Sequence, residues 1–232
     1  MKNNVTEILF VICFIVTLSA QSQTVQQLDQ RGDDALKQGD LDGSISYFST
    51  AIALYPKHAF TYIGRAGAEQ VKGDLAGALA DCNKALELDP KMALGYSVRG
   101  DLENANNDLD EALADYNQSI ALDPGLATPY CERGFVKSQK GDLDGALADY
   151  NKAIALNPKL PRPYYGRGAL EQAKGDIDGA LVDYNKAIAL NPKMAEPFAR
   201  VWPISGDERE RKRGRRGVLR VSGLGKVVTR SR

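Results

Sequence analysis

A single histidine, His58, and three cysteines are all that this 232-residue chain offers of the side chains most used in catalysis and metal binding. His58 follows Pro56 in a connecting segment, where an imidazole ordinarily faces solvent and only rarely acts as base or ligand. Cys13 falls in the leader-like start, which leaves Cys82 and Cys131 for the mature chain. Two separated cysteines and one histidine cannot assemble a Cys/His zinc site, so no metal or cofactor is expected.

Long apolar runs are missing too. The stretch Ile8 to Leu18 is 11 residues, against the roughly 20 that a membrane-spanning helix needs. Lys2 precedes it, and the small pair Ser19-Ala20 leads into the polar Gln21-Ser22-Gln23. This reads as a signal peptide over residues 1–20, cleaved after Ala20 or, second, after Ser22. The expected location is therefore exported, periplasmic or secreted, with no stable membrane span after cleavage. Gln21 stands where a lipoprotein signal would need cysteine, and Glu7 argues against an uncleaved anchor.

Net charge is absent, with 30 basic and 30 acidic residues, but the balance is uneven. Residues 201–232 carry ten Lys/Arg and three Asp/Glu, leaving 20 basic and 27 acidic residues elsewhere. Such a tail could contact nucleic acid or anionic lipid, yet export makes nucleic acid an unexpected partner. GDERERKRGRRG has no apolar periodicity, so a basic disordered tail is expected, with folding back onto the acidic part as a second option.

What the chain does have is a period. Pro56, Pro90, Pro124, Pro158 and Pro192 are each 34 residues apart, and the turns Gly39-Asp40-Leu41, Gly73-Asp74-Leu75, Asn107-Asp108-Leu109, Gly141-Asp142-Leu143 and Gly175-Asp176-Ile177 keep the same step. Gly and Asn are the residues that most readily close a helix in the left-handed conformation, and the Asp that follows can cap the next one. Leu143, Leu147, Tyr150 and Ile154 recur at helical spacing and predict a buried stripe. Small residues, Gly32, Ala66, Gly100, Gly134 and Gly168, face Ser44, Ala78, Ala112, Ala146 and Ala180 across each predicted helix pair. Each second helix should end before its proline, whose predecessor is pushed out of the helical region.

These features resemble the tetratricopeptide (TPR) family: small residues at positions 8 and 20, an aromatic at 24 in Phe48, Tyr116, Tyr150 and Tyr184, and Pro at 32. The resemblance covers about 170 residues as five repeats, 25–58, 59–92, 93–126, 127–160 and 161–194, with 195–200 starting an incomplete sixth. It implies an all-α solenoid of stacked helix-turn-helix repeats in a right-handed superhelix. The chain departs from the family at position 7, which is Arg31, Arg65, Arg99, Arg133 and Arg167, and at position 11, which is Ala35, Glu69, Glu103, Lys137 and Glu171. Position 24 of repeat two is Cys82, predicting thinner packing there. Both helices of repeat three separate Cys82 from Cys131, so two free thiols are expected. The derailment at Val201 and Trp202-Pro203 is what a truncated or frame-shifted end of a longer array would give.

Candidate chemistry dissolves under the same reading. The Asp-x-Asp-Gly runs at Asp40, Asp142 and Asp176 suggest a calcium loop, but Ile45, Leu147 and Leu181 occupy the sixth place, where such a loop needs Gly. The arginine row and the row Asp81, Asp115, Asp149 and Asp183 could bind an anion or pair with each other; guanidinium forks suit the pairing. The sequon Asn117-Gln118-Ser119 falls inside a predicted helix. No segment is left for a catalytic domain, so an enzyme is not expected.

The family resemblance implies a concave groove lined from the first helix of each repeat. By position these residues are Ile63 and Gln70; Ser97, Asp101 and Asn104; Cys131, Phe135 and Ser138; and Tyr165, Ala169 and Gln172. They form a polar surface with a few apolar anchors, lacking the Lys and Asn rows with which the family clamps a C-terminal carboxylate. The expected function is a non-catalytic scaffold holding a protein or peptide, and the alternative is self-association end to end through a poorly capped last repeat.

Overall fold

The computed structural model describes residues 24–194, which divide into two compact units meeting in sequence at Leu122 and Asp123. The expected signal peptide, the expected start of a sixth repeat and the basic tail lie outside the described residues. Among those described, every regular element is a helix.

The first unit holds α1 (residues 24–38), α2 (Leu41–Leu54), α3 (Ala59–Lys72), α4 (Leu75–Leu88), α5 (Ala93–Ala105) and α6 (Leu109–Leu122). The second holds α7 (Ala127–Gln139), α8 (Leu143–Leu156), α9 (Pro161–Ala173), α10 (Ile177–Leu190) and a 3₁₀ turn, Pro192–Met194. Each odd-numbered helix packs antiparallel on the even one that follows it, and neighbouring pairs stack within each unit.

The turns follow from residue chemistry. Gly39, Gly73, Gly141 and Gly175 take φ of 82 to 93°, and Asn107 takes 67°, the left-handed geometry that lets the next amide reach back five residues, as Asp40 N–H does to the Ala35 carbonyl at 2.9 Å. The following aspartate then caps: Asp40, Asp74, Asp142 and Asp176 accept from the amides of Gly43, Gly77, Gly145 and Gly179 at 2.9 to 3.0 Å. A satisfied cap explains these carboxylates without a cation. At the other end, Asn157 and Asn191 turn extended, with φ of −142°, just before their prolines.

Close approach of paired helices needs the small residues. A Cβ at Gly134 would sit 3.1 Å from the Tyr150 ring and 3.2 Å from the Ala146 carbonyl; at Gly168 it would sit 2.9 Å from Tyr184 and 3.2 Å from the Ala180 carbonyl. Burial therefore centres on Ala146, Asp149, Tyr150 and Ala153. The predicted stripe of larger aliphatics is displaced: Leu147 and Ile154 are half-buried and Leu143 is 37% exposed. Alanines take the contact line because only they allow the helices to meet, and Leu143, in the first turn of α8, lies off that line.

Packing around Cys82 is not thin. Where Phe48 fills the layer, glycines Gly32 and Gly64 face it; around the smaller Cys82, Ala66 and Val98 supply the missing volume in one cluster with Leu102. Cys82 is fully buried as a result. Neither Cys82 nor Cys131 is joined in a disulfide, as expected.

Candidate functional site

The recurring charges decide what surface is left for a partner. Arg65, Arg99, Arg133 and Arg167 each grip one aspartate with a two-pronged fork, Asp81, Asp115, Asp149 and Asp183 respectively, at 2.6 to 2.8 Å. The third nitrogen of Arg65, Arg99 and Arg167 reaches Ser49, Asn83 and Asn151 on the preceding helix pair. Each of these three arginines therefore staples three helices. The ladder is structural pairing of the fork-to-carboxylate kind, not an anion row.

Beside it lies a carboxyl that the arginine only partly answers. Glu69, Glu103 and Glu171 sit 3.7 to 4.0 Å from the Nε of their arginines. Their Oε2 atoms are buried with no hydrogen-bond partner. Burial, then the Asp115 carboxylate, pushes Glu103 up to about 7; the same causes, with Asp81 and Asp183, raise Glu69 and Glu171. On α7 the equivalent place is Lys137, whose ammonium meets Asp149 at 2.9 Å.

His58 is more engaged than a solvated imidazole. Its Nδ1 lies 2.8 Å from Thr61 Oγ1 and 3.4 Å from Asp29, and Thr61 donates to Asp29 at 2.8 Å. Thr61 is fully buried, so this trio ties α1 to the start of α3. Ser119 of the sequon is likewise spent on packing, donating to the Ala93 carbonyl at 2.7 Å.

Of the residues expected to line a groove in the first unit, Ile63 and Ser97 are 6% and 3% exposed and present little surface. Gln70, Asp101 and Asn104 are half-buried, and Asp101 accepts from the Tyr116 hydroxyl at 2.8 Å.

The second unit is different. Cys131, Phe135 and Ser138 on α7 and Tyr165 and Ala169 on α9 line one cleft of about 330 Å³. Tyr150 contributes to its lining from α8, and Gly166 lets α9 pack against that ring, since a Cβ there would run into it. Phe135, 40% exposed, stands at the side of the cleft, and Leu170 and Arg162 complete the lining. Gln172 instead accepts the Tyr184 hydroxyl at 2.7 Å, while Tyr165 packs on the Tyr184 ring at 5.8 Å.

Sequence reasoning missed Tyr150, Arg162, Gly166 and Leu170 as lining residues. Gly166 carried a signal, since it repeats Gly64 over Phe48 three periods earlier. Arg162 carried none, because its partner Glu132, 2.8 Å away and only 5% exposed, is a departure confined to one repeat. Tyrosines at 62, 96, 130 and 164 were also overlooked despite their 34-residue step. Tyr62, Tyr96 and Tyr164 donate to the carbonyls of Pro56, Pro90 and Pro158 at 3.0 to 3.4 Å, fastening each pair to the turn before it.

A family model described as TPR repeat matches residues 100–141 and 136–174, and models described as tetratricopeptide repeat match 30–93 and 161–194. Among curated proteins, none matches the chain. Among solved structures, the crystal structure of MamA is 26% identical with a TM-score of 0.57, covering 71% of this chain and 96% of that one. A thermophilic TPR protein from Thermus thermophilus is 22% identical with a TM-score of 0.65, covering 84% and 99%. A chain of the APC/C hetero-tetramer Cut9-Hcn1 is 18% identical with a TM-score of 0.72, covering 89% of this chain and 44% of that one. The last two speak to the fold alone.

Proposed function

Because the chain belongs to the tetratricopeptide repeat family, whose members are generally non-catalytic scaffolds, we propose that it holds a segment of a protein partner against the α7–α9 face. The observation that carries this reading is the cleft lined by Cys131, Phe135, Ser138 and Tyr165. Apolar walls with a few placed polar groups are the usual composition of a binding site. Arg65, Arg99, Arg133 and Arg167 are committed to aspartates of the neighbouring helices, and among the described residues no cluster of His, Cys, Asp and Glu could hold a metal.

Export is part of the proposal. It rests on the Ile8 to Leu18 run and the small residues after it, and N-terminal sequencing of the mature protein tests it. No described helix is long and apolar enough to cross a membrane.

The test is a photo-crosslinking amino acid placed at position 135 and, as control, at Val182, which is 70% exposed on α10. A discrete adduct with another protein from position 135 and none from 182 supports the reading. Adducts only between copies of this chain would favour the self-association alternative, and equal labelling from both positions would overturn the site.

A further inference from the structure

The cleft is specific enough to say what enters it. Tyr150, 2% exposed with Gly166 packed against its ring, reaches the cleft lining from α8, and Phe135 and Tyr165 border the same space. At about 330 Å³ it stands at the bottom of the roughly 300–1,000 Å³ range of small-molecule sites. There is room for one large side chain. Aromatic rings meet one another best offset or edge to face, and three aromatic side chains here border the same space.

Tyr150 is uncharged. Burial first, against a weaker opposing hydrogen bond with Ser138, pushes the Tyr150 hydroxyl up to about 12, so it stays a neutral phenol at physiological pH. The one charged side chain in the lining is Arg162, with 61% of its side chain exposed at the rim. Glu132, almost wholly buried, holds it there at 2.8 Å. Such a tether lowers the ordering cost when the guanidinium meets an incoming group. A planar guanidinium is suited above all to a carboxylate.

We infer that the cleft takes one large aromatic side chain of an extended partner segment, with a neighbouring carboxylate of that segment set against Arg162. The inference rests on the scaffold reading above and narrows it to a ligand chemistry.

The test uses the full chain and a defined probe, the end-blocked pentapeptide Gly-Asp-Trp-Asp-Gly, titrated by tryptophan fluorescence anisotropy or by calorimetry. Saturable binding is expected. Replacing the peptide Trp by Ala should weaken it at least tenfold, and replacing both Asp by Lys should do so about as much. On the protein, Phe135→Ala alters an exposed side chain and leaves the fold intact, and it should also cost tenfold or more. Arg162→Gln should erase the preference for Asp over Lys while leaving the dependence on Trp, a result that general destabilisation does not give. Binding indifferent to the peptide Trp or to Phe135→Ala overturns the inference. So does a Trp202→Ala chain that binds the probe tenfold tighter, since the cleft would then hold the protein's own tail. If the pentapeptide does not bind while position 135 still crosslinks to a protein partner, the scaffold reading stands and the ligand chemistry falls.

Discussion

Replacing Glu103 by glutamine should change how stability depends on pH, with a size set by the geometry around it. The carboxyl hangs from α5 with 15% of its side chain exposed. From its own helix Arg99 lies 3.8 Å away, but that guanidinium is already committed to Asp115 through both prongs. From α6, Asp115 and Glu111 both oppose ionisation. Folding therefore raises the group from 4.5 to about 7. A raised acid binds more protons folded than unfolded, so stability falls with rising pH across that window and is flat above it. At about 1.4 kcal/mol per pH unit the loss comes to about 3 kcal/mol; water reaching the exposed edge trims this to roughly 2–3 kcal/mol. Glu103→Gln keeps the shape and removes the titration. Urea unfolding followed by circular dichroism at pH 5, 6, 7 and 8 should give a difference that grows from under about 1 kcal/mol at pH 5 to roughly 2–3 kcal/mol at pH 8, the variant being the more stable. Glu103→Lys should gain at pH 8 as well, copying the Lys137 contact with Asp149. A difference between variant and parent that is constant from pH 5 to 8 would refute the reasoning.

Other outcomes follow from single residues. Arg65→Ala should cost about 3 kcal/mol by denaturant melts, because it strands the buried Asp81, whereas Arg133→Ala should cost less since Lys137 still reaches Asp149; equal costs would contradict the ladder. Gly141→Ala should destabilise by about 1 kcal/mol, its φ of 85° being strained for a residue with a Cβ. Gly67→Ala, inside α3 with nothing within 4 Å of an added Cβ, should stabilise by up to about 1 kcal/mol. Cys82, whose thiol burial pushes up to about 12, should ignore a disulfide reagent at pH 8 until urea unfolds the chain; labelling of the native protein would contradict its burial.

Much of the fold was legible because it rests on local rules. Gly39, Gly141 and their counterparts announce left-handed turns, the aspartates after them announce caps, and Pro158 ends α8 wherever that helix packs. The pairing of Arg133 with Asp149 was legible from residue type, since a fork and a carboxylate recur together in repeats two to five. What escaped depends on several residues at once. The Cys82 layer looked underfilled in isolation, and only Ala66 and Val98 from different helices show the compensation. The cleft was half legible: Phe135 and Tyr165 lie at groove positions, but Tyr150 joins them through the close helix approach that Gly166 allows, and Arg162 is held by a Glu132 with no periodic signature. Ile63 and Ser97 occupy the same register positions yet are buried, because register fixes a face and not the packing that covers it.

The measurement that bears most directly on the scaffold account is amide hydrogen exchange of the full chain with and without the partner captured at position 135. The account predicts added protection concentrated in residues 127–139 and 161–173, with 143–156 and 177–190 little changed. Protection confined to α8 and α10, or none in α7 and α9, would contradict it.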